Sequence, residues 1–250
     1  MVKLGIIGGS GLDDPAVLAN GEILRVDTPY GEPSSAVIQG TINGTPVALI
    51  SRHGNGHKLS PTQVNYRANI HALTDVGVTH IVATTACGSL RQEIGRGDFV
   101  VPDQFIDFTR ARSNTFFDSF HNGARHCSMA DPFDEVLRRA LIETARDLGF
   151  TAHERGTVIT IEGPRFSTRA ESHMFRALGG DIINMSIAPE AALANEAGVP
   201  YAAIAMSTDY DCWKTDEEPA SWDDILEVFH RNASNMKEIL LRVGTRINRG

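Results

Sequence analysis

The sequence has little cysteine, no positive charge balance and no long apolar run. Its three cysteines, Cys87, Cys127 and Cys212, are an odd number without C-x-x-C or any other ligand spacing. That argues against both a disulfide framework and a zinc centre and leaves free thiols packed as small hydrophobes, with no metal expected. Cys87 also lacks a partnered base in any motif, so thiol catalysis is not indicated. The net charge of -8 argues against a general nucleic-acid or anionic membrane surface, so any anion site must be built locally. No segment approaches the roughly 18 uninterrupted apolar residues of a membrane span. The opening M-V-K-L-G-I-I-G-G is too short for a secretory signal, and the expectation is a soluble cytoplasmic protein. Internal repeats, low-complexity segments and linkers are also missing. At 250 residues and 42% hydrophobic, the chain has the material for one large, well-buried domain spanning 1-250.

What is present is a series of short apolar runs that stop on polar or glycine-rich ends. Residues 2-7 read as a buried strand entering Gly8-Gly9-Ser10-Gly11, a candidate phosphate loop. It is neither a Walker A motif nor G-x-G-x-x-G. Apolar runs on either side of Asn43-Gly44 predict a hairpin with a type I′ turn, and its second strand runs into Ser51-Arg52-His53-Gly54. An Arg beside a His at a strand end suits a phosphate or carboxylate. A helix is predicted from Pro61, capped by Ser60, to Gly77. A strand at 79-83 then ends in Thr84-Thr85-Ala86-Cys87-Gly88-Ser89, and another strand is expected within Asp98-Phe108. Residues 109-130 show no period and carry Arg110, Arg112, His121, Arg125 and His126; so long a loop is usually a lid or an interface. A helix over 132-148 shows an apolar face of Phe133, Val136, Leu137, Leu141, Ala145 and Leu148. A strand at 157-161 leads through Glu162-Gly163-Pro164-Arg165-Phe166-Ser167 to a helix at 168-177. Asp181-Asn184 is a short strand ending at Met185-Ser186, and a helix opens at Pro189-Glu190. The last element, opened by Ser221 and Asp224 as a capping box, is a long amphipathic helix.

The most informative stretch is M-S-T-D-Y-D-C-W, residues 206-213, after a strand predicted at 201-205 with a polar stop at Ser207. Asp209 and Asp211, two apart, would share one side of an extended chain. Like charges that close raise at least one pKa, which suits acid chemistry near neutral pH. Collected at strand ends, Ser10, Thr85 and Ser186 offer hydroxyls, Arg52 and His53 offer cations, Phe166 an aromatic face, and Asp209 and Asp211 carboxylates. That polarity suits a substrate attacked by phosphate at one end while its leaving group is protonated at the other. A nucleotide-binding oxidoreductase using the Gly8-Gly11 loop is an alternative of a different class.

The motifs G-I-I-G-G-S-G-L, S-R-H-G, N-Y-R-A-N, T-T-A-C-G-S-L, D-Q-F-I-D-F-T, E-G-P-R-F-S-T-R-A-E-S, I-N-M-S and S-T-D-Y-D-C-W, in this order, closely resemble the 5′-methylthioadenosine phosphorylases of the trimeric purine nucleoside phosphorylase family. The likeness runs from about Gly5 to the final helix. It implies one α/β domain with a central mixed, partly barrel-like β-sheet flanked by helices, assembled as a homotrimer. It implies phosphorolysis of a purine nucleoside in purine and methionine salvage, with inorganic phosphate as co-substrate and no metal or organic cofactor. By position, Ser10, Arg52, His53, Thr85, Ala86 and Ser186 would hold phosphate, Met185 would meet the ribose, and Phe166 would stack on the purine. Asp209 would face N7 and the 6-amino group, with Asp211 supporting it and Tyr210 between them. His126 resembles the residue that reaches a neighbouring subunit's 5′ pocket. Ser167 matches the family on the base side, whereas Trp222 stands where these enzymes tend to carry a small aliphatic residue. Trp222 would therefore reshape the methylthio pocket or swing out of it. A 6-oxopurine nucleoside phosphorylase, acting on methylthioinosine or inosine, is the alternative within the family; the acceptor character of Asp209 favours a 6-amino base.

Overall fold

The computed structural model describes residues 2-8, 18-121, 123-218 and 221-247. In chain order the elements are β1 (Leu4–Gly8), β2 (Ala19–Leu24), β3 (Val37–Ile42), β4 (Thr45–Ser51), α1 (Tyr66–Asp75), β5 (His80–Ser89), β6 (Phe99–Val100) and β7 (Gln104–Phe108). There follow α2 (Glu135–Asp147), β8 (Ala152–His153), β9 (Thr157–Ile161), α3 (Arg169–Ala177), β10 (Ile182–Asn184), α4 (Ile187–Glu196), β11 (Tyr201–Asp209) and α5 (Trp222–Ile247). The strands form one mixed sheet in the order β2-β3-β4-β1-β5-β10-β9-β7, with β11 on β5 and β6, and β8 on β6. This is the mixed, helix-flanked sheet expected from the sequence; among the described residues it branches at β5 without closing.

Strand β5 is the hinge of the topology. Its first half pairs in parallel with β1, its end pairs antiparallel with β10, and β11 runs parallel along it from Tyr201↔Ile81 to Asp209↔Gly88. Strands covered on both faces have near-continuous apolar sequences, which is why β11 is buried at every position. Ala202, Ile204 and Met206 pack with Leu137 and Leu141 of α2 and Phe229, Met236 and Ile239 of α5. The alternate residues Tyr201, Ala203 and Ala205 pack with Ile70 and Leu73 of α1 and Ile187 and Ala191 of α4.

Local chemistry sets the boundaries. Asn43 and Gly44 both take positive φ, 50° and 79°, so β3 and β4 meet through the expected hairpin turn. Thr168 and Glu171 close a reciprocal capping box on α3, and Ser221 and Asp224 bond each other at the start of α5.

Several boundaries differ from expectation. Helix α1 starts at Tyr66 because Asn65, nearer the periodic run, caps it by accepting from Ala68 N; Ser60 instead accepts from Gln63 N in a turn. β11 does not stop at Ser207 and β5 does not stop at Ala83. Each gives the other a hydrogen-bonded partner, and β10 pairs with the end of β5, so Thr84, Ser89, Ser207 and Thr208 are buried in strand. Pro102 divides the strand expected within 98-108 into β6 and β7. α4 begins at Ile187, before Pro189, a position a helix tolerates in its first turn. Val136 is 57% exposed, turned off the apolar face that Leu137 and Leu141 define.

Candidate active site

A cavity of about 550 Å³ opens where β4, β5, β10 and β11 end. Ligands sit outside the carboxyl ends of strands in open α/β sheets, because the chain there is free to leave the ladder.

Arg52 and His53, adjacent in sequence, both line the cavity. Arg52 directly follows β4 and is only 1% exposed. Its Nε and Nη2 donate to the two Glu190 oxygens at 2.5 and 3.0 Å, and Nη1 donates to Thr84 O at 2.8 Å. Burial works against the Arg52 charge, yet Glu190 more than offsets it and holds the group above its ordinary pKa. His53 behaves oppositely: burial, followed by the Arg52 charge, lowers it to about 3. The ring is therefore neutral. Its Nδ1 lies 2.9 Å from Leu59 O, a carbonyl that can only accept, so the proton sits on Nδ1 and Nε2 keeps a lone pair. Thr85, Ala86 and Ser186 line the cavity as well. Ser186 is the N-cap residue of α4 and makes no side-chain cap bond, which leaves its hydroxyl for an anion, whereas the Ala188 amide at the helix start already donates to Thr160 Oγ1.

Asp209 and Asp211 line the same cavity. A register shift between Ser207 and Asp209 marks an irregularity that turns the end of β11 toward the cavity. Asp209 is 7% exposed, and burial, with a smaller contribution from the Asp211 charge, raises its pKa to about 6. Thr208 Oγ1 donates to Asp209 Oδ2 at 2.8 Å and Asp211 N to Oδ1 at 2.7 Å, which limits the rise. Asp211 is not on the extended strand, as the two-residue spacing suggested. It takes φ of 49° in the turn beyond, and that turn aims its amide at Asp209. Burial raises Asp211 too, while the neighbouring Ser172 and Ser167 hydroxyls counter it.

Phe166, Met185, Ser167 and Trp222 belong to the lining too. Phe166 and Trp222 are 44% and 47% exposed and stand at the mouth. Trp222 has not swung away: its ring lies 5.9 Å from that of His57, which stacks on His53 at 4.3 Å. Met185 is held from behind. Its carbonyl accepts from Arg112 Nη1 at 2.6 Å, and its sulfur lies so close over Gly163 that a Cβ there would collide with it.

A cavity lined by a buried Arg, a neutral His, two acids and two half-exposed aromatics can be set beside those of known proteins through the sequence that builds it. The family model described as "Phosphorylase superfamily" matches residues 3–244. The chain belongs to that superfamily. Similar members include the S-methyl-5′-thioadenosine phosphorylase of Drosophila melanogaster, 51% identical over 98% of this chain and 86% of its own. That of Xenopus tropicalis is 54% identical over 96% of this chain and 87% of its own. Among solved structures, the methylthioadenosine phosphorylase of Schistosoma mansoni in complex with adenine superposes with a TM-score of 0.95 at 43% identity, covering 100% of this chain and 93% of that one. A point mutant of the Schistosoma mansoni adenosine/methylthioadenosine phosphorylase, in complex with methylthioadenosine, gives 0.93 at 42% identity over the same shares. Membership of the phosphorylase superfamily displaces the oxidoreductase alternative.

Not every residue singled out in the sequence reaches this phosphorylase cavity. Ser10 lies outside the described residues. Tyr210 does not line the cavity; its hydroxyl reaches Gln92 O, and Arg96 and Lys214 sit over its ring. His126 is exposed and packs against Phe120, with ring centroids 5.5 Å apart, away from the cavity of its own chain. Conversely, Glu190, His57, Asn184, Thr208, Gly88 and Arg112 were not singled out for the site. Asn184 and Thr208 lay inside quoted motifs. Glu190 had only the signal of an acid in an otherwise apolar helix, I-A-P-E-A-A-L-A, which a buried cation would explain.

No helix among the described residues is long and apolar enough to cross a membrane.

Proposed function

We propose that this chain is an enzyme, a pentosyltransferase that cleaves 5′-methylthioadenosine with inorganic phosphate to give adenine and 5-methylthioribose 1-phosphate. The observation that carries the reading is Asp209, a buried acid with a pKa raised to about 6 that lines the same cavity as Arg52 and His53. The names of relatives about half identical to it supply the substrate.

Phosphate sits among Arg52, His53, Thr85, Ala86, Ser186 and Ser10, and the ribose lies over Met185. A phosphate oxygen attacks C1′ from the face opposite the base as the C1′–N9 bond breaks and its electron pair moves into the purine. Asp209 donates its proton to N7, which a carboxyl of unperturbed pKa near 3.9 would do poorly at neutral pH. The proton that HPO₄²⁻ loses on becoming a monoester balances the one the base gains. Phe166 stacks on the purine, Ser167 lies on the base side, and the Asp211 amide holds Asp209 in place. His53, neutral with its Nε2 lone pair inward, accepts a proton from phosphate, and the arriving dianion favours its protonated form. The reaction needs no metal or organic cofactor. The chain acts as a homotrimer in which His126, exposed and outside its own cavity, enters the 5′ pocket of a neighbour. A 6-oxopurine presents an acceptor where adenine presents an amino donor, so the acidic pair favours the adenine nucleoside.

The deciding test is base release from methylthioadenosine, methylthioinosine, adenosine and inosine, each with and without phosphate. Phosphate-dependent release chiefly from methylthioadenosine is expected; preference for an oxo base would overturn the role given to Asp209 and Asp211.

Gly88 offers a check on geometry. A Cβ there would stand 3.0 Å from Asp209 Oδ1 and 3.1 Å from Ile183 Cγ2, so Gly88→Ala must displace the acid. Misplacement of a reacting group by a fraction of an ångström to an ångström costs roughly ten- to a hundredfold in rate. The expected result is a loss of that size in kcat with the phosphate KM unmoved; full activity would show that Asp209 tolerates displacement.

A further inference from the structure

We infer that Glu190 and Tyr201 are positioning residues for the phosphate end of the cavity, holding Arg52 so that its free edge is fixed toward the bound anion. The inference rests on the functional reading above and deepens it.

A guanidinium has five N–H donors in one plane. Glu190 takes two of those of Arg52, on the edge formed by Nε and Nη2, and Thr84 O takes a third. Among the described residues, nothing takes the remaining two, on a group that lines the cavity. The clamp has a second layer: Tyr201 OH donates to Glu190 Oε2 at 2.9 Å. Burial and the Glu190 charge push the Tyr201 phenol up, so it stays a donor. The four parts come from the end of β4, from β5, from the first turn of α4 and from the start of β11, so the plane of Arg52 is fixed by the main elements of the fold.

An ion pair with both partners 1% exposed is a poor choice for stability alone, because desolvation offsets much of the attraction and apolar side chains serve as well. An Arg that must meet an oxyanion in a defined plane has a use for it. The clamp also neutralises most of the Arg52 charge, so the empty cavity is not strongly cationic, and recognition falls to oriented donors rather than to net charge.

The test is steady-state kinetics with each substrate varied in turn for Glu190→Gln and Tyr201→Phe, beside Arg52→Lys and the native enzyme. Glu190→Gln keeps the shape but places an amide against Arg52; the phosphate KM is expected to rise about tenfold or more, with the methylthioadenosine KM within about twofold. Tyr201→Phe removes one outer hydrogen bond and is expected to raise the phosphate KM about threefold. Should Glu190→Gln fail to fold, Tyr201→Phe decides. An unchanged phosphate KM in a folded variant, or equal rises for both substrates, would overturn the inference. If Arg52→Lys alone raises the phosphate KM, the functional reading stands and only the clamp falls. Native turnover independent of phosphate would remove both.

Discussion

Replacing Asp209 with Asn is expected to reduce turnover of methylthioadenosine by about 10²- to 10⁴-fold, the usual reach of general acid catalysis, and to reduce turnover of the inosine analogue far less. Asn still hydrogen-bonds N7 but has no carboxyl proton to give. Equal losses on both nucleosides would remove the acid from Asp209. The same variant is expected to be more stable than the native protein at neutral pH. Burial raises the folded-state pKa of Asp209 to about 6, above its ordinary 3.8. A group shifted in that direction favours the fold below its unfolded pKa and loses that contribution as pH rises through the folded value. Asn carries no charge at any pH and escapes the loss. The stability advantage of Asp209→Asn should be absent near pH 3, grow between about 4 and 6, and level off at up to roughly 3 kcal/mol. Thermal unfolding at several pH values measures it. A variant less stable than native at pH 8 would show that the hydrogen bonds from Thr208 and Asp211 outweigh the cost of burying the charge.

The second large effect is expected at Arg52. Arg52→Ala strands the Glu190 carboxylate in a site where it is 1% exposed, and an uncompensated buried charge costs about 3–5 kcal/mol. The phosphate KM should rise far more than the nucleoside KM. These two consequences have different origins and should separate in the double variant Arg52→Ala/Glu190→Gln. Removing the stranded charge should restore most of the stability but none of the phosphate affinity. Denaturant unfolding and phosphate titration read the two outcomes. Phosphate affinity recovered in the double variant would show that Arg52 acts through charge balance and not through contact with the anion.

The legible parts of this fold were those fixed by neighbours in sequence. The Asn43-Gly44 turn, the Thr168/Glu171 box, the Ser221/Asp224 box and strand β9 each depend on a few adjacent residues, and each is where the sequence places it. Strand ends in polar residues were read as stops because polarity usually marks exposure. Thr84 to Ser89 and Ser207 to Asp209 break that rule, since β5 and β11 satisfy each other's backbone across more than a hundred residues. The site shows the same division. Arg52, Thr85, Ser186 and Asp209 stand out as polar groups at the ends of apolar runs. Glu190, 138 residues from Arg52, has no local signal of its partner. The direction of Tyr210 was not legible either, because it depends on the turn at Asp211, whose positive φ no pattern of apolar residues announces.

The placement of Asp209 at the end of a strand buried at all nine positions has a consequence for how substrate enters. Amides in β5 and β11 sit in the most deeply packed part of the chain and should exchange with solvent only through global opening. The backbone that carries Thr208 and Asp209 therefore belongs to the slowest-exchanging unit, whereas Asp211 sits in the turn beyond it. At the mouth, Phe166 and Trp222 stand half in solvent on a loop and at a helix start. The cavity thus joins a rigid floor to a more exposed mouth, and adjustment to an entering ligand is expected at the mouth.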